Sequence, residues 1–355
     1  MEFQAVIMAA GTGSRMREIT SGISKCLLPV GNVPLIMCSL NIVKKAGFSS
    51  AIVLVRENEK AKIQSAIEDK FGLKLDIIGI PKNEDWGTAD KADFEETVPF
   101  KLSILEKNSE VKVYSNLMDA HVYIIKKDLV NFIVNSEHIS TLKGEFLPAA
   151  VKKQFTSKKQ NSKGECEASL SSILNQDWID LKKLAFELSS AYSGRILKPA
   201  LEDEFVCFSY IDRDCFCTRV NTLVAYADIN KKITKNFSIM GVEPSKTHQY
   251  PKSQVDAESV VGENTELLAK ASIKQTALGS NCKLSEKVKI TNSIIMDNVT
   301  FGKECSIQNS IICSNVILED NCSFKNSVIG PDQTIKTLTK LNSEILHGSE
   351  HLMQI

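Results

Sequence analysis

The hydrophobic pattern in the last third of the chain repeats every 17 residues. Apolar residues follow one another in steps of five, six and six, from Val261, Leu267 and Ile273 as far as Ile329. An amphipathic helix would need spacings of three and four, and a single strand would alternate, so neither explains the repeat. One inward aliphatic residue in six, three in each repeat, predicts a triangular parallel β-helix with a short strand on each side.

Polar residues of this region keep the same period. Two sets recur at intervals of 17 residues: Asn264, Asn281, Asn298 and Asn315, and then Thr276, Ser293, Ser310 and Ser327. Asparagine tolerates the left-handed backbone of a tight corner, and we expect successive asparagine side chains to stack and share hydrogen bonds. The pattern resembles the left-handed, hexapeptide-type β-helix found in acyltransferases and sugar-nucleotide enzymes.

The first hundred residues follow a different pattern. Short apolar runs at Ala5–Met8, Ala51–Val55 and Leu75–Ile80 predict buried strands, and Leu35–Ala46 and Glu57–Lys70 predict helices. Alternating strands and helices predict a parallel α/β sheet with right-handed connections, whose ligand crevice lies at the carboxyl ends of the strands. We therefore expect a Rossmann-like α/β domain followed by the β-helix.

Further elements complete the predicted organisation. Val111–Ile125 and Phe205–Ile211 are predicted as strands, Leu170–Ser190 as a helix, and the polar stretch 152–164 as a solvated insert. The expected domains are an α/β domain over residues 1–231, a linker over 232–254, the β-helix over 255–346 and a tail over 347–355.

Charge and cysteine content narrow the function classes. Lys and Arg total 43, as do Asp and Glu, which gives no support to a nucleic-acid partner or an anionic membrane. With no signal peptide and no apolar stretch near the roughly 20 residues of a membrane helix, we expect a cytosolic protein. The ten cysteines are expected to be reduced, and the cluster Cys207, Cys215 and Cys217 lacks the CxxC pair and nearby histidine of a zinc site.

A glycine-rich loop, AAGTGSR, follows the first strand. Gly11 and Gly13 can adopt a positive φ or admit a phosphate close to the backbone. Together with LLPVGNVPL and GTAD (Gly87–Asp90), this loop resembles the sugar-nucleotide pyrophosphorylases. The resemblance implies that Gly11, Gly13 and Arg15 cradle the phosphates of a nucleotide and that Lys25 neutralises their charge.

The resemblance to the sugar-nucleotide pyrophosphorylases implies two metal-binding aspartates, and this chain has neither of them. No apolar strand ending in Asp lies between GTAD and Val111, and Arg219 occupies the second position, where it cannot ligate a cation. Asp119 and His121 lack a second acid or nucleophile, which favours a hydrogen-bonded pair over acid–base chemistry. We therefore predict no catalytic residue, no metal site and no cofactor, and only a vestigial nucleotide site.

Two enzyme classes remain as alternatives to a scaffold. An active sugar-nucleotide pyrophosphorylase would need magnesium and a nucleoside triphosphate. A hexapeptide acyltransferase usually has a histidine at a coil face, and none lies between Val261 and Ile329. A regular solenoid without such a site is suited to protein–protein packing.

The motifs in combination indicate a more specific resemblance. MEFQAVIMAAGTGSRM, CLLPVGNVPLI, LMDAHVYIIKK and HLMQI, with the β-helix, are similar over nearly the whole chain to the gamma subunits of eukaryotic translation initiation factor 2B. The resemblance implies a non-catalytic subunit that pairs with the epsilon subunit and the other subunits of that factor and promotes GDP exchange on initiation factor 2. In that family the catalytic helical domain is on epsilon, and we expect no such helical extension after the coils of this chain, which run to shortly before Ile355.

The sequence departs from that family between GTAD and DAHVY, where most of the expected stretch is missing. Loss of central strands would expose the apolar edges of a parallel sheet. We therefore expect a shortened, damaged first domain beside an intact β-helix.

Overall fold

The computed structural model describes residues 3–67, 72–81, 117–134, 141–154, 207–212, 216–233 and 253–348. The chain divides into two compact units. One contains residue 1 and residues 83–217, and the other contains residues 2–82 together with 218–355. The segment that contains the glycine loop and the β-helix therefore belong to the same unit, although residues 83–217 separate the two parts of that unit in sequence.

The three strands and two helices predicted for the first eighty residues are confirmed to within a few residues at their described ends. The elements in chain order are β1 (Ala5–Met8), α1 (Arg17–Thr20), β2 (Pro29–Val30), β3 (Val33–Pro34), α2 (Ile36–Lys45), β4 (Ser50–Arg56), α3 (Lys60–Ile67) and β5 (Lys74–Ile80), of which α1, β2 and β3 were not predicted. The predicted burial of β5 is wrong, since its residues are exposed or only partly buried. Single 3₁₀ turns at Ser14–Met16, Lys25–Leu27 and Glu57–Glu59 connect them. The end of the predicted second helix, past Ile67, lies outside the described residues.

The sheet is parallel, with the strand order β1–β4–β5. One face carries Val53 and Val55, which are buried with Leu40 of α2 and Ile63 of α3. Among the described residues β1 pairs on one side only, and its outward residues are well exposed, Met8 by 75%. An α/β sheet with its first strand at the edge is consistent with the expected shortening of this domain.

The unit of residues 83–217 contains two described helices, α4 (Lys127–Val134) and α5 (Leu147–Gln154), the latter preceded by a π-helical turn at Leu142–Phe146. Helix α5 extends into the predicted polar insert, so Lys152–Gln154 is helical rather than loop. The remainder of that insert, GTAD and the predicted helix Leu170–Ser190 lie outside the described residues.

Two predicted strands in this unit are wrong over their described parts. Neither Leu117–Ile125 nor Cys207–Ile211 is a strand. In the first, His121 has a φ of 55°, and its backbone N–H donates to Asp119 Oδ1 at 2.8 Å. This local turn interrupts the extended backbone that an apolar pattern alone would favour.

The last unit continues with α6 (Leu223–Ile233) and then the solenoid. Its strands form three parallel sheets, here called faces A, B and C. Face A contains β6 (Gln254–Val255), β9 (Ser272–Lys274), β12 (Lys289–Thr291), β15 (Ser306–Gln308), β18 (Ser323–Lys325) and β21 (Lys340–Asn342). Face B contains β7 (Val260–Val261), β10 (Ala277–Leu278), β13 (Ile294–Ile295), β16 (Ile311–Ile312), β19 (Val328–Ile329) and β22 (Ile345–Leu346). Face C contains β8 (Glu266–Leu267), β11 (Lys283–Leu284), β14 (Thr300–Phe301), β17 (Ile317–Leu318) and β20 (Thr334–Ile335).

The 17-residue period is confirmed by the strand register. Leu278, Ile295, Ile312 and Ile329 stand in line on successive coils, and the aliphatic residues predicted to point inward form the solenoid core. The asparagine corners are also confirmed: Asn281 and Asn298 have φ values of 56° and 59°. Their side chains join along the stack, with Asn298 Nδ2 donating to Asn315 Oδ1 at 3.1 Å.

A second asparagine ladder was not predicted, although its signal is present in the sequence. Asn292 Nδ2 donates to Asn309 Oδ1 at 3.0 Å, and Asn309 Nδ2 donates to Asn326 Oδ1 at 2.8 Å. These residues also recur every 17 positions and also have a positive φ. Beside them, the hydroxyl of Ser310 accepts from the backbone N–H of Ser327 at 3.1 Å, which satisfies this buried donor.

Candidate functional site

The glycine loop turns sharply after β1. Gly13 has a φ of 71°, and its carbonyl accepts a hydrogen bond from the Met16 N–H at 2.9 Å. A Cβ at Gly13 would lie 2.8 Å from Thr20 Cγ2, while Thr20 Oγ1 donates to the Met16 carbonyl at 2.9 Å. Glycine is therefore required at position 13 both by its left-handed backbone and by the closeness of α1.

Gly11 lies in a different environment. A Cβ built at this position would have no heavy atom within 4 Å, so the loop is open to solvent there. The carbonyl of Gly11 accepts a hydrogen bond from Arg56 Nη2 at 3.4 Å, and Arg56 in turn pairs with Glu59 at 3.3 Å. The end of β4 thus supports the loop, and its exposed side retains room for a ligand.

Among the described residues, the charged groups that act on Lys25 are cationic. Lys25 Nζ donates to Asn221 Oδ1. Burial, followed by the positive charges of Arg219 and then Arg15, holds the pKa of Lys25 below its usual value. Three of the residues that sequence analysis singled out, Arg15, Lys25 and Arg219, are thus close enough to interact electrostatically. Arg219 contributes positive charge where the resemblance expected a metal-binding aspartate.

Helix α6 clamps the segment that follows Lys25. The hydroxyl of Tyr226 donates to the Pro29 carbonyl at 2.6 Å, and Asn230 Oδ1 accepts the Gly31 N–H at 2.9 Å. Burial raises the pKa of the Tyr226 hydroxyl, which keeps it a donor. Sequence analysis missed this clamp, although the spacing of four residues between Tyr226 and Asn230 places both on one side of the helix.

The hairpin held by this clamp also bonds to the solenoid. Gly31 and Asn32 join β2 to β3 with φ values of 56° and 64°, as a type I′ turn requires. Asn32 Nδ2 donates to the carbonyl of Leu278 on face B. Around this contact, Ile294 and Ile311 point outward from face B and join the core that contains Met16 of the loop.

Asp119 is the centre of a polar cluster in the other unit. The Tyr123 hydroxyl donates to Asp119 Oδ2 at 2.7 Å, and Lys143 Nζ lies 3.4 Å from the same oxygen. Partial burial raises the pKa of Asp119, but hydrogen bonds from the His121 N–H and the Tyr123 hydroxyl outweigh it, so that the pKa lies below its usual value. The hydrogen-bonded Asp119–His121 pair is confirmed, although not in a strand.

The solenoid thiols are structural rather than reactive. Burial raises the pKa of Cys282 to about 12 and that of Cys305 to about 11, whereas nucleophilic and metal-binding cysteines need the thiolate. Cys207 and Cys217 form no disulfide, and Cys215 lies outside the described residues. Over the described ranges, no three His, Cys, Asp or Glu side chains are grouped as a metal site would require.

A cavity of about 220 Å³ lies elsewhere in the same unit, between α6 and the corner beside face B. Leu223, Ala227 and Asn309 are among its lining residues, and no residue of the glycine loop lines it. None of the helices within the described ranges has the length and apolarity to cross a membrane.

Two family profiles match the chain, one in each region of regular structure. Residues 4–98 match the nucleotidyl transferase family. Residues 243–341 match the EIF2B subunit epsilon LbH domain. The first match includes the glycine loop and the three-stranded sheet, and the second includes most of the solenoid.

Some relatives match this chain across both the α/β region and the solenoid, and they show which proteins it resembles over most of its length. The chain is 24% identical to the gamma subunit of translation initiation factor eIF2B from Schizosaccharomyces pombe, over 77% of this chain and 74% of that protein. It is 24% identical to the same subunit from Caenorhabditis elegans, over 78% of this chain and 80% of that protein. This chain resembles the eIF2B gamma subunits over most of its length. By contrast, a glucose-1-phosphate thymidylyltransferase from Actinoplanes sp. is 35% identical over only 21% of this chain and 25% of that protein.

The alignments with the eIF2B gamma subunits also support the expected shortening. The alignment with the Schizosaccharomyces pombe protein is 362 positions long but uses only 77% of this chain. Since it is longer than the whole chain, the eIF2B gamma protein has residues within the aligned region that this chain lacks.

Proposed function

We propose that this chain is a non-catalytic, gamma-type subunit of the translation initiation factor 2B guanine nucleotide exchange complex. In this proposal it pairs with an epsilon-type subunit in the cytosol and promotes GDP exchange on initiation factor 2. The observation that carries the proposal is the similarity to eIF2B gamma subunits across both the α/β region and the solenoid. The thymidylyltransferase match, which is confined to about a fifth of the chain, supports a shared domain rather than a shared reaction.

The electrostatics around Lys25 support a non-catalytic role. Pyrophosphoryl transfer needs a divalent ion to gather phosphate charge, and such an ion needs carboxylate ligands. Here burial, followed by the positive charge of the Arg219 guanidinium, lowers the pKa of Lys25. Asn221 Oδ1 accepts a hydrogen bond from the Lys25 ammonium group. Neither Arg219 nor Asn221 offers the carboxylate that such an ion needs.

Co-expression with an epsilon-type subunit tests the assembly. We expect the two chains to co-purify and to release GDP from initiation factor 2 faster than the epsilon-type subunit alone. A folded chain that elutes separately and leaves GDP release unchanged would overturn the proposal. Incubation with nucleoside triphosphates, sugar 1-phosphates and Mg²⁺ tests the pyrophosphorylase alternative, for which pyrophosphate release would be the decisive result.

We also propose that Gly11, Gly13, Arg15 and Lys25 retain weak binding of a phosphate-containing anion without a metal ion. The open space at Gly11 and the position of Lys25 near Arg15 and Arg219 support this binding, because an anion held there would be attracted to the Lys25 ammonium group. Calorimetric titration with tripolyphosphate in excess EDTA tests it. We expect Lys25→Gln to weaken binding about tenfold or more and the exposed α3 variant Lys62→Gln to have no effect. Equal affinity of the two variants would contradict the site.

A further inference from the structure

Face A of the solenoid is a basic surface without carboxylates on its strands. The outward positions of β9 to β21 carry lysines at Lys274, Lys289, Lys325 and Lys340, and all four are exposed. The remaining outward positions of these strands are short and uncharged: Ser272, Thr291, Ser306, Gln308, Ser323 and Asn342. The whole chain has equal numbers of basic and acidic residues, so the strands of face A carry a local excess of positive charge.

The acidic residues near face A do not lie on it. Glu286 and Glu304 belong to the corner before the face, where Glu304 pairs with Lys287. This pair raises the pKa of Lys287 and lowers that of Glu304. The corner after the face carries the asparagine ladder, from Asn292 to Asn326. Glu258 and Glu344 also lie at that corner. Asp256 follows β6 and lies in register beside Lys274, but its carboxylate accepts hydrogen bonds from the Ser259 hydroxyl and the Gln275 N–H. On the face A strands themselves, the four lysines therefore have no neighbour of opposite charge.

The strand register places these lysines at regular intervals. Lys289 and Lys340 occupy the same position of coils three apart, and so do Lys274 and Lys325. Neighbouring coils lie about 4.8 Å apart, so each pair spans about 14 Å along the solenoid axis. The two pairs run side by side, two residues apart along the strands, which is about 7 Å.

We propose that face A binds an extended, carboxylate-rich segment of a partner protein that runs along the solenoid axis. An extended chain rises about 3.4 Å per residue, so acidic residues four positions apart lie about 14 Å apart and on the same side. That spacing matches each lysine pair. The serine, threonine and amide side chains between the lysines offer hydrogen bonds to the backbone of the segment, and their small size keeps the surface flat enough for it to lie close.

RNA fits this surface less well. Single-stranded RNA is held by aromatic or arginine platforms on which bases stack, and the outward positions of β9 to β21 carry neither. Phosphates also follow one another much more closely than 14 Å, so a strand of RNA would leave most of its charges unpaired. The proposal is independent of the function proposed above, since it rests only on the solenoid.

Two quadruple variants of the full chain test the surface. In the first, Lys274, Lys289, Lys325 and Lys340 are replaced by Gln. In the matched control, four exposed lysines away from face A and its corners are replaced by Gln: Lys62, Lys74, Lys283 and Lys336. The probes are a fluorescent 16-residue Glu/Ser peptide with Glu at every fourth position, a peptide of the same composition with its Glu residues contiguous, and oligouridylate.

Fluorescence anisotropy at low salt gives the affinities, and thermal melting checks that both variants fold alike. We expect the spaced peptide to bind most tightly of the three probes. We expect the face A variant to lose about tenfold in affinity for it, while the control variant changes by less than about threefold. Equal loss in the two variants, equal binding of the two peptides, or tighter binding of oligouridylate would overturn the proposal.

Discussion

The backbone N–H of Gly31 donates to the side-chain oxygen of Asn230 at 2.9 Å, across 199 residues of sequence. Asn230 is only 2% exposed, and its amide nitrogen donates to the Tyr226 carbonyl at 3.0 Å. One side chain therefore fixes the hairpin turn relative to α6. The same hairpin bonds to Leu278 through Asn32, so these polar contacts add to the shared apolar core that joins the sheet segment, α6 and the solenoid.

Replacing Asn230 by Ala removes this link. The Gly31 N–H would remain buried without its acceptor, and we expect a loss of about 1–3 kcal/mol in the free energy of unfolding. Urea denaturation followed by circular dichroism measures it. Asp228→Ala, on the exposed side of the same helix, is the matched control and should change stability by less than about 0.5 kcal/mol. Equal effects of the two substitutions would contradict the role of the clamp.

The asparagine ladder can be separated into backbone and side-chain contributions at Asn298. Asn298→Gly removes the bonds with Asn281 and Asn315 but keeps the left-handed backbone accessible, whereas Asn298→Ala also adds its steric cost. We expect both variants to unfold at lower urea concentrations and the Ala variant to be about 1 kcal/mol less stable than the Gly variant. A Gly variant less stable than the Ala variant would show that the backbone conformation is not the limiting feature.

Leu338 occupies a corner position for which its side chain is poorly suited. It has a φ of 63° and is 70% exposed, so the left-handed backbone strains it without compensation from burial. The residue one coil before it is Asn321, whose φ is 58°. We expect Leu338→Asn to raise the midpoint of thermal unfolding and to increase the free energy of unfolding by about 0.5–1 kcal/mol. Leu268→Asn, at an exposed position without a positive φ, should give no such gain.

The cluster around Asp119 predicts a pH dependence with a definite sign. Its pKa lies below the ordinary value of 3.8, so the contribution of the carboxylate is fully present above that value and is lost as the pH falls through the lowered pKa. A carbon-detected NMR titration of the Asp119 carboxyl should show a midpoint below 3.8. Tyr123→Phe removes one of the hydrogen bonds and should move the midpoint upward. A midpoint above the ordinary value in the unmodified chain would contradict the observed geometry.

The candidate site was predictable only in part. The glycine loop, Arg15 and Lys25 form a local motif, because a tight turn after a strand requires small residues at particular positions. The pattern within each segment did not show that Lys25 lies close to Asn221 and Arg219; only the family resemblance placed Lys25 and Arg219 at one site. The strands predicted at Val111–Ile125 and Phe205–Ile211 were wrong in their described parts for the same reason: an apolar run becomes a strand only where a neighbouring strand pairs with it.

The sequence by itself determined the solenoid, because an inward position of every coil must be apolar and each corner must accept a left-handed backbone, and both demands recur every 17 residues. Only the tertiary structure decided which outward faces are covered. Ile294 and Ile311 on face B are buried in one core with Met16, from the opposite end of the chain, while Lys289 and Lys325 on face A remain exposed. Burial of an outward side chain depends on a distant segment that packs against it, and the local pattern of the coil carries no information about where that segment lies.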